Sequence, residues 1–309
     1  DARKIAVDPR RCSPRFSVGE ILGFQMITYQ PVNTLPEMLV RYESLFETCF
    51  SKHPKFGLET LRWLYVGNPE GPAVGFDAWD GNVLAAHYVC IPTRVRIQGA
   101  EVRSLLSLNT ATHPGYQGQG LFPKLAGLTF EAATAAGFHS AYGVANANSS
   151  PAAVKKLGYR LVAPLQAMVG VSRLGIDLQE VSQRAGFERV WTPQALQWRC
   201  ANPVNPVRTS RDRDRLLFHA KAMGMLVSAV AELPISDGGL ALPQGRVWSP
   251  VRLHLGLLPD GVGGLGSYVD IPQRLRPSPL NLMYRPLSAT GSVVEPGRVH
   301  FNFLDFDAY

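Results

Sequence analysis

The chain has 309 residues, 46% of them hydrophobic and 18% charged, with a formal net charge of +7. This excludes a disordered chain and leaves room for two domains of ordinary size. The positive balance suits anionic small molecules rather than nucleic acid. The densest basic cluster, Arg208, Arg211, Arg213 and Arg215, is interrupted by Asp212 and Asp214 and reads as a solvated segment.

Cys12, Cys49, Cys90 and Cys200 form no CxxC pair, which argues against zinc and for a reducing compartment. Arg3, Lys4, Asp8, Arg10 and Arg11 are followed by no apolar leader. The longest apolar stretch, near residues 223–231, is about half a bilayer span. The expectation is a cytoplasmic protein with no membrane partner.

In chain order, FQMITYQ (24–30) reads as a strand. Residues 34–50 have helical spacing, with Leu39, Tyr42, Leu45, Phe46 and Cys49 on one face. Thr34 would be the N-cap, with Glu37 three residues on. LETLRWLYV (58–66) is a second helix, and its Trp63 reads as a packing residue. Two strands flank Asp80-Gly81-Asn82 as a hairpin. VRSLLSLNTAT (102–112) is the next strand. A glycine-bearing loop follows and then a helix over 122–136. HSAYGVAN (139–146) is a strand, SPAAVKKL (150–157) a short helix and residues 159–174 a further strand. Strand, loop, helix and strand in this order predict a parallel crossover in a mixed α/β fold.

The second half opens with an echo. Leu61-Arg62-Trp63 followed by Asn68-Pro69 matches Leu196-Gln197-Trp198 followed by Asn202-Pro203, which suggests two related α/β units in tandem. Residues 216–233, 252–258 and 299–306 read as strands. On the last of these, Asp305 and Asp307 would share one face. Gly261, Gly263 and Gly266 match GxGxxG, but the residues that follow read as a strand. Without a helix the dinucleotide mechanism fails, so this stretch is a loop.

Residues 109–122, NTATHPGYQGQGLF, carry the chemistry. Helix N-termini present unpartnered N–H groups and positive potential. Gly118 and Gly120 remove the side chains that would hold a diphosphate away from those donors. No copy of residues 117–120 occurs in the second half.

Gln117-Gly118-Gln119-Gly120-Leu121-Phe122 resembles the pyrophosphate motif of the GNAT acyltransferase superfamily, Gln/Arg-x-x-Gly-x-Gly/Ala. Asn146-Ala-Asn-Ser149 followed by Lys156-Leu-Gly-Tyr159 is similar to that family's fourth helix. The resemblance covers residues 20–166. It implies a twisted central sheet flanked by helices over 1–166, binding acyl-CoA (acetyl-CoA or a longer acyl-CoA). It also implies a second, degenerate GNAT-like domain over 167–309 that helps form the acceptor pocket.

The implied activity is transfer of an acyl group from the coenzyme to a small-molecule primary amine. A narrower similarity points to a nucleotide-linked amino sugar. Other small-molecule or peptide amines, or a coenzyme-binding module without catalysis, stay open as alternatives. The resemblance makes Gln117, Gly118, Gln119, Gly120, Leu121 and Phe122 the pyrophosphate loop, and Thr110, Ala111 and Thr112 the strand along the pantetheine arm.

Two departures stand out. Phe122 occupies a Gly/Ala position, and Ala152-Ala153-Val154 lacks the Tyr that protonates the leaving thiolate in many members. For a general base, His113 at the loop entrance and His87 on a neighbouring strand are candidates, although such a histidine is more often a packed or surface residue than a base. Asn109 could orient the substrate or be a satisfied strand polar group. Asn146 and Ser149 could touch the coenzyme or simply cap a helix.

Overall fold

The computed structural model describes residues 26–307 apart from 51, 225, 236–241, 246–248, 264, 277 and 289–290. The leader reading, Cys12, the first two residues of the 24–30 strand and residue 264 of the glycine run lie outside these. The first half runs β1 (Thr28–Pro31), α1 (Pro36–Cys49), α2 (Leu58–Tyr65), β2 (Val74–Asp80), β3 (Val83–Ile97) and β4 (Ala100–Thr112). It continues with α3 (Leu121–Ala135), β5 (Ser140–Asn146), α4 (Ser150–Leu157) and β6 (Arg160–Pro164). The second half runs β7 (Gln166–Gly170), α5 (Leu178–Arg184), β8 (Phe187–Arg189), α6 (Pro193–Cys200), β9 (Arg208–Asp212) and β10 (Arg215–Met223). After these come β11 (Val227–Pro234), β12 (Val251–Gly256), β13 (Val269–Asp270), β14 (Leu280–Pro286) and β15 (Val299–His300).

One sheet has the order β1-β2-β3-β4-β5-β14-β6, with β8 joining β3 to β15; the other has the order β13-β7-β12-β11-β10-β9. The two share a pattern. β2-β3-β4 are antiparallel neighbours and β4 meets β5 in parallel. Likewise β9-β10-β11 are antiparallel neighbours and β11 meets β12 in parallel. β14 flanks β5 as β7 flanks β12, so a strand of the second half crosses into the first sheet. The strands therefore do not divide between the sheets at residue 166, where the sequence motifs end. The tandem α/β arrangement expected from the Trp echo is present in the topology.

β3 is buried along most of its length because helices cover both faces of its sheet. On one face Leu125, Ala126 and Phe130 of α3 pack over Ala85, Tyr88, Leu105 and Ala141. On the other, Leu39, Phe46, Leu61 and Tyr65 meet Val89, Ile91 and Leu106, and the same cluster includes Phe187, Leu255 and Phe301 of the second half. A core shared across the halves explains why neither sheet closes on its own.

Four local expectations change. α1 begins after Leu35, and Asn33 Oδ1 rather than Thr34 accepts a backbone N–H there, from Leu35 at 2.9 Å. Residues 159–174 break at Leu165 into β6 and β7, and residues 216–233 form the β10–β11 hairpin. Residues 299–306 are not one strand: β15 ends at His300 and Phe303–Asp305 is a 3-10 turn. No helix follows the GxGxxG stretch among the described residues, as expected.

Candidate active site

β4 and β5 pair only from Ser104–Leu106 against Ser140–Tyr142. On its other edge β4 carries a bulge. His87 pairs with Ala111 and Val89 with Leu108, so Asn109 and Thr110 together oppose Tyr88. Asn109 takes φ +46°, a left-handed conformation that Asn tolerates better than most residues. Bulges bend the strand that carries them, and beyond Leu106 the facing edges of β4 and β5 are unpaired.

A cavity lies on each face of this wedge. One, of about 240 Å³ on the α3–α4 side, is walled by Phe122, Ser149, Ala153 and Tyr159. The other, of about 180 Å³, is walled by Phe50, Lys55, Phe56, Phe306 and Asp307. Both are lined by Ser107, Leu108, Asn109, Thr110 and Val144, so the wedge is their common wall. A third cavity, of about 250 Å³, shares Lys55 and Asp307 with the second and adds His53, Asn202 and Asn205.

The glycine turn sits at the start of α3. Gly118 and Gly120 have φ +80° and +76°, and a Cβ on either would meet no atom within 4 Å. Among the described residues the backbone N–H groups of Gly118, Gln119, Gly120, Leu121 and Phe122 find no acceptor. The first bond of the helix runs from Lys124 N–H to the Gly120 carbonyl at 3.3 Å. Exposed donors, space where side chains would be and the positive end of a helix are what a diphosphate requires. The unpaired strand edges below suit an extended amide-bearing arm. The residues present therefore fit coenzyme A.

Phe122 turns away from the turn and packs against Tyr88, ring centroids 5.9 Å apart, as part of the cavity wall. Leu121 is buried. Gln117 reaches back to the Thr112 carbonyl at 3.4 Å, which also accepts from the Cys49 thiol. Ala111 is buried opposite His87. Asn146 Oδ1 accepts from the backbone N–H groups of Asn148 and Ser149 and from the Ser149 hydroxyl, shaping the turn between β5 and α4. Ser149 then faces the cavity. His113 caps a 3-10 turn by accepting from Gly115 N–H at 3.2 Å and lines none of these cavities.

Asp305 and Asp307 do not share a face. The 3-10 turn directs Asp305 inward, where it accepts from Trp191 Nε1–H and Asn302 N–H, and burial pushes its carboxyl up. Asp307 stays half-buried beside Lys55 at the second cavity. Two further polar residues lie behind the bulge. Tyr65 is on the buried face of α2, and Asp77 sits in a mostly apolar strand. Its inward position on a buried strand was the available signal. Both side chains are buried and join His87 in one hydrogen-bonded chain. Burial, then neighbouring charge, holds the Tyr42 and Tyr65 hydroxyls protonated.

Residues 36–162 match the family model of an acetyltransferase (GNAT) domain. That stretch of the chain is similar to GNAT domains, a class that moves acyl groups from acyl-CoA to amines. A probable N-acyltransferase from Enterococcus faecalis V583 has a similar structure, with 12% identity and TM-score 0.59, covering 85% of this chain and 73% of that one. Eis1 from Mycobacterium abscessus, at 12% identity, gives 0.55 with coverages of 85% and 74%. A GCN5-related N-acetyltransferase from Anabaena variabilis, at 11% identity, gives 0.54 with coverages of 84% and 73%. These likenesses extend the fold over both halves. No curated protein matches the sequence. Among the described residues no helix is long and apolar enough to cross a membrane, and no cluster of ligating side chains could hold a metal.

Proposed function

We propose that the chain is an acyl-CoA-dependent N-acyltransferase. In this reading coenzyme A lies on the α3–α4 side of the wedge, and a primary amine enters from the cavity at Lys55 and Asp307. One observation carries this reading: the two cavities share the wall formed by Ser107, Leu108, Asn109, Thr110 and Val144. An acyl donor and an amine approaching from opposite faces would meet at the bulge, and such positioning supplies much of the acceleration of a bimolecular transfer.

The N–H groups from Gly118 to Phe122 would hold the diphosphate, with Ser149 at the cavity wall. Thr110 and its neighbours on β4 would align the pantetheine arm. The coenzyme supplies the acyl group as an activated thioester. Asp307 would receive the acceptor as an ammonium at the cavity mouth, and Asn109 would orient it at the bulge. The second half contributes Asn202, Asn205, Phe306 and Asp307 to the acceptor side. The chained cavities give room for an extended acceptor, such as an amino sugar carried on a nucleotide.

Calorimetric titration with acetyl-CoA and with CoA tests the coenzyme half of this reading, and absence of heat with either overturns it. Free-thiol release across a panel of amino sugars, nucleotide-linked amino sugars, small amines and peptides tests the transfer. Binding without turnover on any acceptor would leave a coenzyme-binding module. The specific observation favouring that second reading is Ala153, which lines the coenzyme cavity from α4 and carries no proton donor.

A further inference from the structure

Behind the β4 bulge, buried side chains form a continuous polar chain. The Asn109 Nδ2 amide donates to the Tyr65 hydroxyl at 3.4 Å, and that hydroxyl lies 3.0 Å from His87 Nε2. His87 Nδ1 is 2.7 Å from Asp77 Oδ1, and the Tyr42 hydroxyl donates to Asp77 Oδ2 at 2.7 Å. Tyr65 and His87 are 0% exposed and Asp77 is 1% exposed. Among the described residues Asp77 has no lysine or arginine partner. Unused polar groups this deep are costly unless every bond is made.

Counting protons gives the chain a direction. The Asn109 Nδ2 amide donates to the Tyr65 oxygen, so the single Tyr65 proton goes on to His87 Nε2, and the ring hydrogen sits on Nδ1 and is donated to Asp77. The amide of Asn109 thus has its NH₂ inward. Its Oδ1 has no protein partner among the described residues, and Asn109 lines both cavities of the wedge.

We propose that Asp77, His87 and Tyr65 are positioning residues that hold the Asn109 carbonyl oxygen toward the wedge. There it accepts one N–H of the acceptor amine and aims the nitrogen lone pair across the bulge. This rests on the acyl-transfer reading above. A carboxamide oxygen suits the task because it accepts a hydrogen bond without taking the proton. The left-handed φ of Asn109 fits the same role, since residues held in uncommon backbone conformations cluster at functional sites.

The test is a kinetic cycle with Tyr65→Phe, which removes one hydroxyl, and Asn109→Gly, which tolerates the positive φ. Each single variant is expected to lower kcat about tenfold or more while KM for acyl-CoA stays within about twofold. The double variant should be no worse than Asn109→Gly, because Tyr65 acts through Asn109. Losses that multiply in the double variant would mean a merely structural Tyr65 and would overturn the proposal. Long-range 1H–15N spectra of His87 in the unmodified protein decide the direction of the chain without any turnover. An Nδ1-protonated neutral ring is expected, and an Nε2-protonated ring overturns the proposal even if Tyr65→Phe does not fold. A wild type that binds acetyl-CoA yet acylates no amine overturns the acyl-transfer reading and the amine contact with it. Turnover combined with multiplying losses overturns the positioning alone.

Discussion

The indole nitrogens of Trp63 and Trp198 each donate to the other residue's backbone carbonyl, at 2.8 and 2.9 Å, while their rings stack 4.8 Å apart at 22°. The reciprocal pair is the meeting point of α2 and α6, the helices that carry the Leu-x-Trp echo. Each helix leads into a buried asparagine whose Oδ1 accepts the N–H two residues on, Glu70 for Asn68 and Val204 for Asn202. The echo in the sequence is thus a local two-fold relation in space, and it joins the halves beside the acceptor-side cavities.

Phenylalanine at Trp198 keeps a ring but leaves the Trp63 carbonyl without its donor, a loss of about 1–3 kcal/mol where the group is buried; phenylalanine at Trp63 should cost less, because the Trp198 carbonyl still accepts from Ala201 N–H at 3.1 Å. The two bonds and the stack form one unit, so the double variant should cost less than the sum of the singles, by about 1 kcal/mol. Denaturant titration of the four proteins measures this. Strict additivity would mean that the two residues are merely adjacent.

Gly120 and Gly127 make a matched pair on α3. A Cβ on either meets no protein atom within 4 Å, but Gly120 has φ +76° and Gly127 lies within the helix. Gly127→Ala should stabilise by about 0.5–1 kcal/mol and leave coenzyme affinity unchanged. Gly120→Ala should cost about 1–2 kcal/mol of strain. It should also weaken acetyl-CoA by about tenfold or more, because the added methyl occupies space that only a ligand would use. Calorimetry and thermal unfolding read both effects. Unchanged affinity in Gly120→Ala moves the diphosphate site elsewhere.

The glycine turn and its helix were legible because backbone conformation dictates residue type there: Gly118 and Gly120 sit at positive φ, where a side chain is strained. The Trp echo was legible because both copies kept the same packing residues. What did not show was pairing at a distance. Nothing local to residues 280–286 says that β14 enters the first sheet between β5 and β6. Asp77, His87 and Tyr65 lie on three different elements, and only the fold makes them one chain. Asp305 and Asp307 misled for a local reason, since a capping box at Asn302 turns the backbone into a 3-10 turn and breaks the two-residue period.

Asp307 and Lys55 line both acceptor-side cavities. Asp307→Asn keeps the shape and removes the charge that would receive an ammonium. It should raise the acceptor KM by about tenfold, the scale of a partly exposed charge-assisted bond, and leave the acetyl-CoA dissociation constant unchanged. An equal effect on both ligands would place Asp307 outside the acceptor path.

The second sheet holds two histidines whose protonation opposes folding. Burial is the main cause for both, and it pushes His219 and His254 down to about 4 from an ordinary 6.5. Neither ring nitrogen of His254 has a partner among the described residues, so a proton there would be an isolated buried charge. The sign follows from where protons bind. Above pH 6.5 both states are neutral at these residues and nothing is lost. As pH falls from 6.5 toward 4 the unfolded chain takes up protons that the folded one refuses, and stability drops. Each histidine contributes up to roughly 1.4 kcal/mol per pH unit across that window. His254→Leu removes the titrating group and keeps an apolar side chain in its place. The pH dependence of its unfolding free energy between 6.5 and 4 should therefore be shallower than that of the parent by about one proton. Carboxylates that titrate in the same window cancel in the difference between the two proteins. Denaturant titrations at several pH values give that difference directly, and equal slopes would mean that the folded state protonates His254 as readily as the unfolded chain does.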